Sequence, residues 1–503
     1  SQLGASSVTV TVGDTTTNAI MTSAYVTQVS AILPSNTPTG DGVLAVAYEG
    51  RNSNTIPIHV VGASPGIFTR NDAGTGPAVV HNYNAEEDQP LNGFTETAHP
   101  GQTVSLLGTG LGPVAFDETQ PAPAQNLRDD VEVWVGNQPA SISYAGRSDY
   151  PGVDEVDFTL PADVALGCFV PVAIRLGSPG LVSNFASIAV SSADRFCSDP
   201  HGLSSSDVAA LDTNGKLDIG WIQLLRASIT ATIPGLGSGS GLIDGGWGEF
   251  FHWDTTTAGL DGGFDLFSGR GVSLGGCTVY TFQAGVSGYI PLRSAFLNAG
   301  TLLTATRENS SGRLVRTRYG YYEAHQALGA IAPPGISNKP LPAPFYEPGT
   351  ITVDNASGGP DVGSFQASIS ISPTPAPLDW TNLNDISTMG IDRTAGLTIT
   401  WAGGDPQSEY LVLAGTVFLP GIGKQLQMAS AFLCTTAPDA GQFTVPAAVL
   451  SALPASTADD PTSGMILVGR APLLTEDMKF AAGGLDFGYL TAAFFNAMTA
   501  VFR

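Results

Sequence analysis

The residue types that most often carry out catalysis are present in this chain, but not in the spacings that catalysis needs. Six histidines are scattered, with no His-x-x-x-His pair: His59, His81, His99, His201, His252 and His325. A helical zinc-protease motif would need such a pair. The segment Gly237-Ser-Gly-Ser-Gly241 places glycine where the Gly-x-Ser-x-Gly nucleophile motif needs serine. The sequence therefore predicts no enzymatic activity, and we name no catalytic residue.

A short acidic segment, residues 212–218, is the best candidate for a metal site. Asp212, Asn214 and Asp218 match oxygen-ligand positions of a calcium-binding loop. Position 1 has no acidic residue, and position 12, which needs a bidentate glutamate, would be Trp221. Calcium is thus a candidate cofactor, a turn built from Asp, Asn and Gly is the favoured alternative, and no other cofactor is expected.

Aromatic side chains suggest a possible binding function. Trp247 and Trp253 lie at the end of a glycine-rich stretch, and Tyr321 belongs to a group of tyrosines further along. Aromatic faces can stack on sugar rings, so these three residues are candidates for carbohydrate binding. The alternative is that they are core or interface anchors, as aromatic residues in β-sandwiches often are.

The four cysteines include no Cys-x-x-Cys pair, which favours disulfides over a zinc site: Cys168, Cys197, Cys277 and Cys434. Three connectivities are possible. We favour Cys168–Cys197 with Cys277–Cys434, because each pair then closes within one region; buried free thiols are the alternative. The sequence starts at Ser1 without a charged and apolar leader. We therefore expect that a secretion signal has been removed and that the protein is extracellular or on the cell surface.

The composition is that of an acidic protein with few charged groups. The chain has 503 residues, with 20 Lys and Arg against 44 Asp and Glu, a formal net charge of −24. Charged residues make up 13% of the chain, about half of the usual share. Nucleic acids and anionic membrane surfaces attract Lys and Arg, so neither is an expected partner. No stretch approaches the ~18 apolar residues of a spanning helix, so no membrane insertion is expected.

Alternation of apolar and polar residues predicts many half-buried strands, for example residues 8–12, 131–135, 367–372 and 397–401. A serine cap before an acidic turn predicts one short helix after Ser204.

Two segments of the chain also resemble each other, in the same order and with nearly the same spacing. Val12-Gly-Asp14 in the first segment corresponds to Val135-Gly-Asn137 in the second. In the same way, Gln28–Pro34 corresponds to Glu155–Pro161, and Ser53-Asn54 corresponds to Ser183-Asn184. We interpret these segments as two copies of one Ig-like unit.

The two copies are not equally complete. The second is preceded by a strand that ends in a glycine turn, residues 101–112, and the first copy lacks a counterpart. A half sandwich has an open sheet edge and an uncovered apolar face. We expect that face to be covered by an upstream stretch, by a segment from elsewhere in the chain, or by a strand from a neighbour.

Several short motifs within the repeat also recur in a known family. They are Ser64-Pro-Gly-Ile-Phe-Thr69, Gly108-Thr-Gly-Leu-Gly-Pro113, Ser143-Tyr-Ala-Gly146 and the strand that ends at Leu160-Pro161. Residues 8–190 in this way resemble the Ig-like domain, related in pattern to IPT/TIG modules, at the C-terminus of many secreted acidobacterial proteins. The resemblance implies a secreted β-sandwich and no catalytic residues.

The predicted fold class is all-β, with tandem Ig-like antiparallel β-sandwiches followed by a larger, β-rich, disulfide-stapled region. We expect an incomplete unit in 1–65, a second Ig-like unit in 66–195, a β-rich domain with a short helix and glycine-rich loop in 196–372, and a C-terminal sandwich in 373–503. The proline-rich stretch 372–378 marks the last boundary.

The function expected from these features is structural. We expect a subunit of an extracellular filament, sheath or matrix, assembled partly by β-strand complementation among copies of the protein itself. The alternative is an adhesin or a secreted protein that binds cell-surface or matrix polysaccharide.

Overall fold

The computed structural model describes residues 2–120, 122–177, 180–233, 237–254, 270–282, 296–308, 310–329, 348–371, 378–420, 426–456 and 463–503. The regular secondary structure of these residues is mainly β-strand, with a few short helices, so the all-β prediction is confirmed. The proline-rich stretch predicted as a linker falls at 372–377, outside the described residues.

The N-terminal unit, residues 6–60, has one five-stranded antiparallel sheet and a separate hairpin. In its first strand Val8, Val10 and Val12 are buried while the intervening threonines are partly exposed, as expected for a strand with one covered face. Its strands are β1 (Ser6–Val12), β2 (Thr15–Asn18), β3 (Ile20–Ala24), β4 (Val29–Ile32), β5 (Gly40–Tyr48), β6 (Arg51–Asn52) and β7 (Ile56–Val60).

The second unit, residues 64–190, is a complete β-sandwich. Its strands enclose one apolar core that includes Val104, Leu106 and Phe158. They are β8 (Gly66–Ile67), β9 (Val80–Asn82), β10 (Thr103–Thr109), β11 (Val131–Val135), β12 (Gln138–Arg147), β13 (Asp154–Thr159), β14 (Gly167–Leu176), β15 (Leu181–Val182) and β16 (Ala186–Val190).

The predicted short helix is present as α1 (Ser205–Asn214). The Ser204 side chain accepts a hydrogen bond from the Asp207 N–H, and the Asp207 carboxylate accepts one from the Ser204 N–H. This reciprocal capping box satisfies two N–H groups that a helix start leaves unpaired. The helix ends at Gly215, whose φ of 73° is readily adopted by glycine.

Most of the remaining strands belong to one large sheet, with thirteen strands among the described residues. Its order is β19-β28-β27-β30-β32-β17-β18-β22-β21-β20-β23-β24, with β31 beside β32. The strands after α1 are β17 (Lys216–Ile233), β18 (Gly237–Asp254), β19 (Cys277–Thr281), β20 (Leu302–Arg307), β21 (Ser310–Arg316), β22 (Tyr322–Gly329), β23 (Gly349–Asp354), β24 (Gln366–Ile371), β25 (Asp379–Trp380), β26 (Leu397–Ala402), β27 (Glu409–Pro420), β28 (Leu426–Thr436), β29 (Gln442–Val445), β30 (Gly464–Pro472), β31 (Lys479–Phe480) and β32 (Phe487–Thr499).

Two short helices, α2 (Leu383–Met389) and α3 (Ala447–Ser451), and the small sheet β25-β26-β29 accompany the large sheet. Their apolar side chains pack with the large sheet in one core, which includes Ile386, Ile399 and Val449.

The large sheet does not divide at residue 373, where the sequence suggested a domain boundary. β17 pairs in parallel with β32, and β19 pairs with β28 across that position. Long-range strand pairing therefore joins ranges that composition alone separated.

Both favoured disulfides are present. Cys168–Cys197 links β14 of the second unit to the segment before α1. Cys277–Cys434 links the paired strands β19 and β28.

Candidate functional site

The N-terminal unit repeats the strand pairings of the second unit. β1 pairs with β2 and β5, as β11 pairs with β12 and β14. β5 also pairs with β6 and β7, as β14 pairs with β15 and β16. β3 pairs with β4, as β12 pairs with β13. The repeat inferred from sequence is therefore a repeat of the fold.

Local irregularities recur as well. The register of β3 against β4 shifts between Met21 and Ser23, and the register of β12 against β13 shifts between Ile142 and Tyr144. A β-bulge bends its strand and aims the following side chains, so a bulge at the matching place fixes the same curvature in both units.

The Ser-Asn motif makes the same hydrogen bonds in both copies. The Ser53 hydroxyl accepts from the Val46 N–H at 3.1 Å and donates to the Asn54 carbonyl at 2.6 Å. The Ser183 hydroxyl accepts from the Ile174 N–H at 2.9 Å and donates to the Asn184 carbonyl at 2.7 Å. These bonds position the asparagine that follows each serine.

The second unit has one part that the N-terminal unit lacks, which we call the completing segment, residues 64–111. Its strand β10 pairs with β13 on one side and with β8 and β9 on the other. It also supplies a large part of the sandwich core, namely Ile67, Ala78, Val80, Ala98, Val104, Leu106 and Leu111.

The Asn184 side chain holds the completing segment in place. Its oxygen accepts from the Ile67 N–H at 2.7 Å, and its amide group donates to the carbonyls of Ile67 at 3.0 Å and Gly74 at 2.8 Å. A side-chain amide can satisfy both polar groups of one residue in an extended chain, because it has a donor and an acceptor side by side. Sequence analysis noted Asn184 only as part of the repeat and missed this role.

A buried carboxylate makes a further contact to the completing segment. Asp154 accepts from the Leu111 N–H at 2.8 Å and forms an ion pair with Arg147. Burial raises the pKa of Asp154, and the Leu111 N–H and the Arg147 charge oppose that increase. The glycine turn predicted at residues 108–112 is present, with positive φ at Gly110 and Gly112.

In the N-terminal unit the matching strand edge is open. Among the described strands β4 pairs only with β3, whereas its counterpart β13 also pairs with β10. Asn54, the counterpart of Asn184, is exposed, and its side chain makes no hydrogen bond within the described part of the chain. The buried core of this unit is small and consists of Val10, Val12 and Val60.

Side chains that are buried in the second unit are exposed at the matching positions of the N-terminal unit. Leu33 is 41% exposed and its counterpart Leu160 is 2% exposed. Ile56 is 57% exposed and its counterpart Ala186 is 2% exposed. Two further exposed residues have buried counterparts: strand pairing matches Ala31 to Phe158 and Tyr48 to Leu176. We call Ala31, Leu33, Tyr48 and Ile56 the open face.

The candidate carbohydrate-binding residues do not form a shared platform. Trp253 is buried, with its ring 5.9 Å from Phe94 and 5.4 Å from Phe251, so it is not available to stack on a sugar. Trp247 stacks on Tyr321 at 4.1 Å, which covers one face of each ring. Burial raises the pKa of Tyr321 to about 12. Trp247 and Tyr321 therefore contact each other, whereas Trp253 packs in a separate aromatic group.

The candidate calcium ligands are not arranged as a loop. Asp212 and Asn214 lie in α1, and Asp218 lies in β17. Asp212 pairs with Arg195 at 2.9 Å, while Asp218 contacts Lys216 at 3.2 Å and His252 at 2.6 Å. No group of three or more His, Cys, Asp or Glu side chains in the described ranges could hold a metal ion. Only Gly215 separates α1 from β17.

A buried polar group beside the first disulfide contains the residue types of a catalytic triad, namely Asp199, His201 and Ser273. Asp199 accepts from the Cys168 N–H at 2.8 Å, and the Ser273 hydroxyl accepts from the Phe169 N–H at 3.0 Å. His201 is likewise buried. These side chains are buried and form hydrogen bonds to backbone groups in the interior. In the part of the chain that is described, no helix is long and apolar enough to cross a membrane.

Comparisons with known proteins do not assign a family or a function to this chain. No protein-family model matches the sequence, and no curated protein matches it. Among solved structures, the FN1–FN3 domains of chicken CNTN1 align over 86% of this chain and 99% of their own, at 8% identity and TM-score 0.13. Domains 4–9 of the surface layer protein SbsC align over 98% of this chain and 58% of theirs, at 11% identity and TM-score 0.12.

The BSP domain of a biofilm associated protein aligns over 97% of this chain and 87% of its own, at 8% identity and TM-score 0.13. TM-scores this low do not establish a shared domain arrangement. The open face therefore remains the best-defined candidate site.

Proposed function

We propose that this protein is an extracellular structural protein, a subunit of a surface filament, sheath or matrix. The observation that carries the proposal is the open face of the N-terminal unit. The same chain contains a complete copy of this unit for comparison. The second unit buries the matching positions by means of its completing segment. Among the described residues the matching positions of the N-terminal unit are exposed.

The amount of exposed apolar surface supports an interaction at this unit. Eight of the eighteen large apolar side chains that are exposed in the described residues lie in residues 3–61: Leu3, Tyr25, Val26, Leu33, Val43, Tyr48, Ile56 and Val61. Concentrated apolar surface on a soluble protein is typical of interaction sites. An open strand edge beside it favours association through strand addition.

The chemistry of the chain supports a location outside the cell. Two disulfides are present, and disulfides persist mainly in oxidising compartments. Lysine and arginine together number only 20 in 503 residues, so the chain offers few trypsin sites. We include other copies of the protein among the proposed partners, since a head-to-tail contact that does not close produces a filament.

Negative-stain electron microscopy of the protein from its native source tests the proposal. We expect filaments, sheets or a regular matrix. Replacing Leu33 and Ile56 by Asp in the native gene should abolish them, because charge on the open face prevents its burial. The matched control is Leu181→Asp on the second unit, at a leucine whose exposure lies between those of Leu33 and Ile56. Monodisperse particles from the native source would contradict a structural role.

A further inference from the structure

The segment between the second unit and α1 contains a peptide bond of a reactive type. Asp199 precedes Pro200 there, and His201 follows. We infer that the chain cleaves its own Asp199–Pro200 bond, with the Asp199 carboxyl as nucleophile and His201 as proton carrier. The reaction takes place within one chain, so a buried carboxyl needs no external substrate, and it is independent of the proposed structural role.

The two residues that form the bond determine the chemistry. An aspartate carboxyl can attack the main-chain carbonyl of its own residue, and such proximity greatly favours an intramolecular step. An oxygen of the Asp199 carboxyl bonds to that carbonyl carbon, and the C–N bond to Pro200 breaks. The electron pair goes to the Pro200 nitrogen, which takes the proton of the carboxyl and leaves as a secondary amine. Water then opens the cyclic anhydride and leaves two carboxyl groups on Asp199.

The backbone of this segment holds the scissile carbonyl in a tight turn. The Asp199 carbonyl oxygen accepts from the Gly202 N–H at 3.1 Å, and the Asp199 N–H donates to the Leu203 carbonyl at 2.9 Å. An N–H directed at a carbonyl oxygen stabilises the negative charge that develops there during attack. The Pro200 carbonyl accepts from the Leu474 N–H at 2.9 Å, so the residue on the leaving side is also held.

The Asp199 carboxyl is buried and only partly hydrogen-bonded. Its Oδ2 accepts from the Cys168 N–H at 2.8 Å, whereas Oδ1 is buried without a hydrogen bond of good geometry to any described residue. A Cβ atom on Gly167 would lie 2.3 Å from this Oδ1 and 2.0 Å from the Ser273 Oγ, so only glycine leaves room for both. Burial raises the pKa of Asp199. The carboxyl therefore keeps its proton at pH values where an exposed aspartate has lost it.

His201 is the titratable side chain whose charge acts on this carboxyl. Its Nε2 lies 2.9 Å from the Val272 carbonyl oxygen. A carbonyl only accepts, so Nε2 carries a hydrogen. Nδ1 is buried and has no hydrogen-bond partner among the described residues, and Tyr410 packs on the ring with centroids 4.5 Å apart. We assign to Nδ1 the transfer of the proton from the Asp199 carboxyl to the Pro200 nitrogen.

The same chain contains a matched peptide bond in a different setting, Asp405–Pro406. Asp405 is exposed. Its Oδ2 accepts from the Ser408 hydroxyl at 2.7 Å, and its Oδ1 accepts from the Gln407 N–H at 3.0 Å. These two hydrogen bonds lower the pKa of Asp405. Both of its carboxyl oxygens are therefore engaged, and the group is ionised where Asp199 is still protonated.

Cleavage at Asp199 leaves two fragments that neither disulfide joins. Cys168–Cys197 lies before the bond and Cys277–Cys434 lies after it. Fragments 1–199 and 200–503 then stay together through non-covalent contacts, such as the Asn137 amide that donates to the Gly275 carbonyl at 2.6 Å. The reaction thus makes the attachment of the second unit to the large sheet separable.

Intact-mass spectrometry of the full chain, incubated near pH 5 and near pH 8, tests the inference. We expect fragments 1–199 and 200–503 to form faster near pH 5, where the Asp199 carboxyl carries its proton. They should form at least about tenfold faster than fragments that end at Asp405, or at Asp460, whose bond to Pro461 lies outside the described residues.

The same incubation in concentrated urea shows whether the fold is responsible. The preference for Asp199 should disappear there, because unfolding removes the turn and the burial of the carboxyl. No fragment 1–199 from the folded chain, or a preference that persists in urea, would overturn the inference. This comparison needs no variant, since the three bonds belong to one chain.

Variants test the two assigned roles. Asp199→Asn keeps an acceptor for the Cys168 N–H and should abolish fragment 1–199, whereas Asp405→Asn, the matched control, should leave its rate unchanged. His201→Gln should slow the cleavage by about tenfold. Circular dichroism of each variant checks that it is folded. Cleavage that survives Asp199→Asn would identify a contaminating protease, and an unchanged rate in folded His201→Gln would remove His201 from the reaction.

Hydroxylamine detects the anhydride. Added during the incubation, it should open the ring in place of water and leave a hydroxamate on Asp199 of fragment 1–199. A fragment 1–199 without the hydroxamate would overturn attack by the side chain in favour of direct hydrolysis. Filaments from the native source have no bearing on these results, so the failure of either proposal is seen separately.

Discussion

At the scale of single residues, the same side chain has different roles in the two copies of the repeat. Leu33 and Leu160 occupy matching positions, yet only Leu160 has a completing segment packed over it. Asn54 and Asn184 differ in the same way, because only Asn184 has backbone groups within reach. The chemistry of these residues therefore depends on what covers them.

The leucine pair gives a direct test. We expect Leu160→Ala to lower the stability of the chain by about 2–5 kcal/mol, the usual cost of removing a buried leucine side chain. Leu33→Ala should change it by less than about 0.5 kcal/mol, since an exposed side chain loses little packing. Differential scanning calorimetry of both variants measures the difference. Equal destabilisation would mean that the open face is covered within the chain itself.

Asp199 leads to a prediction about pH. Burial raises its pKa, and the charge of His201 and the Cys168 N–H only partly oppose this. A carboxyl whose folded pKa is above its unfolded value, near ~3.9, destabilises the protein as pH rises through the interval between the two values. Asp199→Asn removes that charge and keeps an acceptor for the Cys168 N–H.

We therefore expect Asp199→Asn to raise the Tm at pH 7 and to lose this advantage near pH 4. Asp439→Asn, at an exposed position, is the control and should show no such trend. Calorimetric scans between pH 4 and pH 7 check it. A constant Tm difference across this range would be inconsistent with a raised pKa for Asp199.

At the scale of secondary-structure elements, the two disulfides covalently link segments that are distant in the sequence. Cys168–Cys197 closes a sequence separation of 29 residues and Cys277–Cys434 one of 157 residues. Among the described strands β19 pairs only with β28, so the second disulfide fixes an edge strand of the large sheet.

Removing each disulfide should destabilise the protein in proportion to the unfolded-chain entropy that it restricts. We expect an upper limit of about 3–4 kcal/mol for the double variant Cys168→Ala/Cys197→Ala, and about 5 kcal/mol for Cys277→Ala/Cys434→Ala. Urea denaturation of the two variants measures the order. A larger loss from the shorter loop would show that packing around Cys168 and Cys197, rather than chain entropy, dominates.

At the scale of the whole molecule, stability is unevenly distributed. Both faces of the large sheet are covered at β17. Ile222 and Leu224 of this strand lie in one core, and Trp221 lies in another. The N-terminal unit has only five buried apolar side chains, namely Val8, Val10, Val12, Ala19 and Val60. Local opening is easiest where few buried contacts oppose it.

Hydrogen exchange should follow this distribution. Amides of β3 and β4 should exchange faster than those of β12 and β13, and the central strands β17 and β32 should be slowest. Mass spectrometry of peptic fragments resolves these regions. Equal protection of β4 and β13 would argue against an incomplete unit.

The sequence by itself determined the strands, the short helix, the repeat and the disulfide pairing that we favoured, because alternation, capping residues and cysteine positions are local signals. Comparison of the two repeats also predicted that the first copy lacks a counterpart of residues 101–112. It did not determine which apolar side chains would be exposed, because Trp253 and Ile56 both follow an alternating pattern and only one of them meets a partner surface.

Tertiary structure alone decided the rest. β17 and β32 pair although more than 200 residues separate them, so no local signal could reveal that the large sheet crosses residue 373. Side chains such as Asn184 act on backbone groups more than 100 residues away. Strand pairing joins distant segments through backbone groups that every residue shares, and the fold alone selects which segments meet.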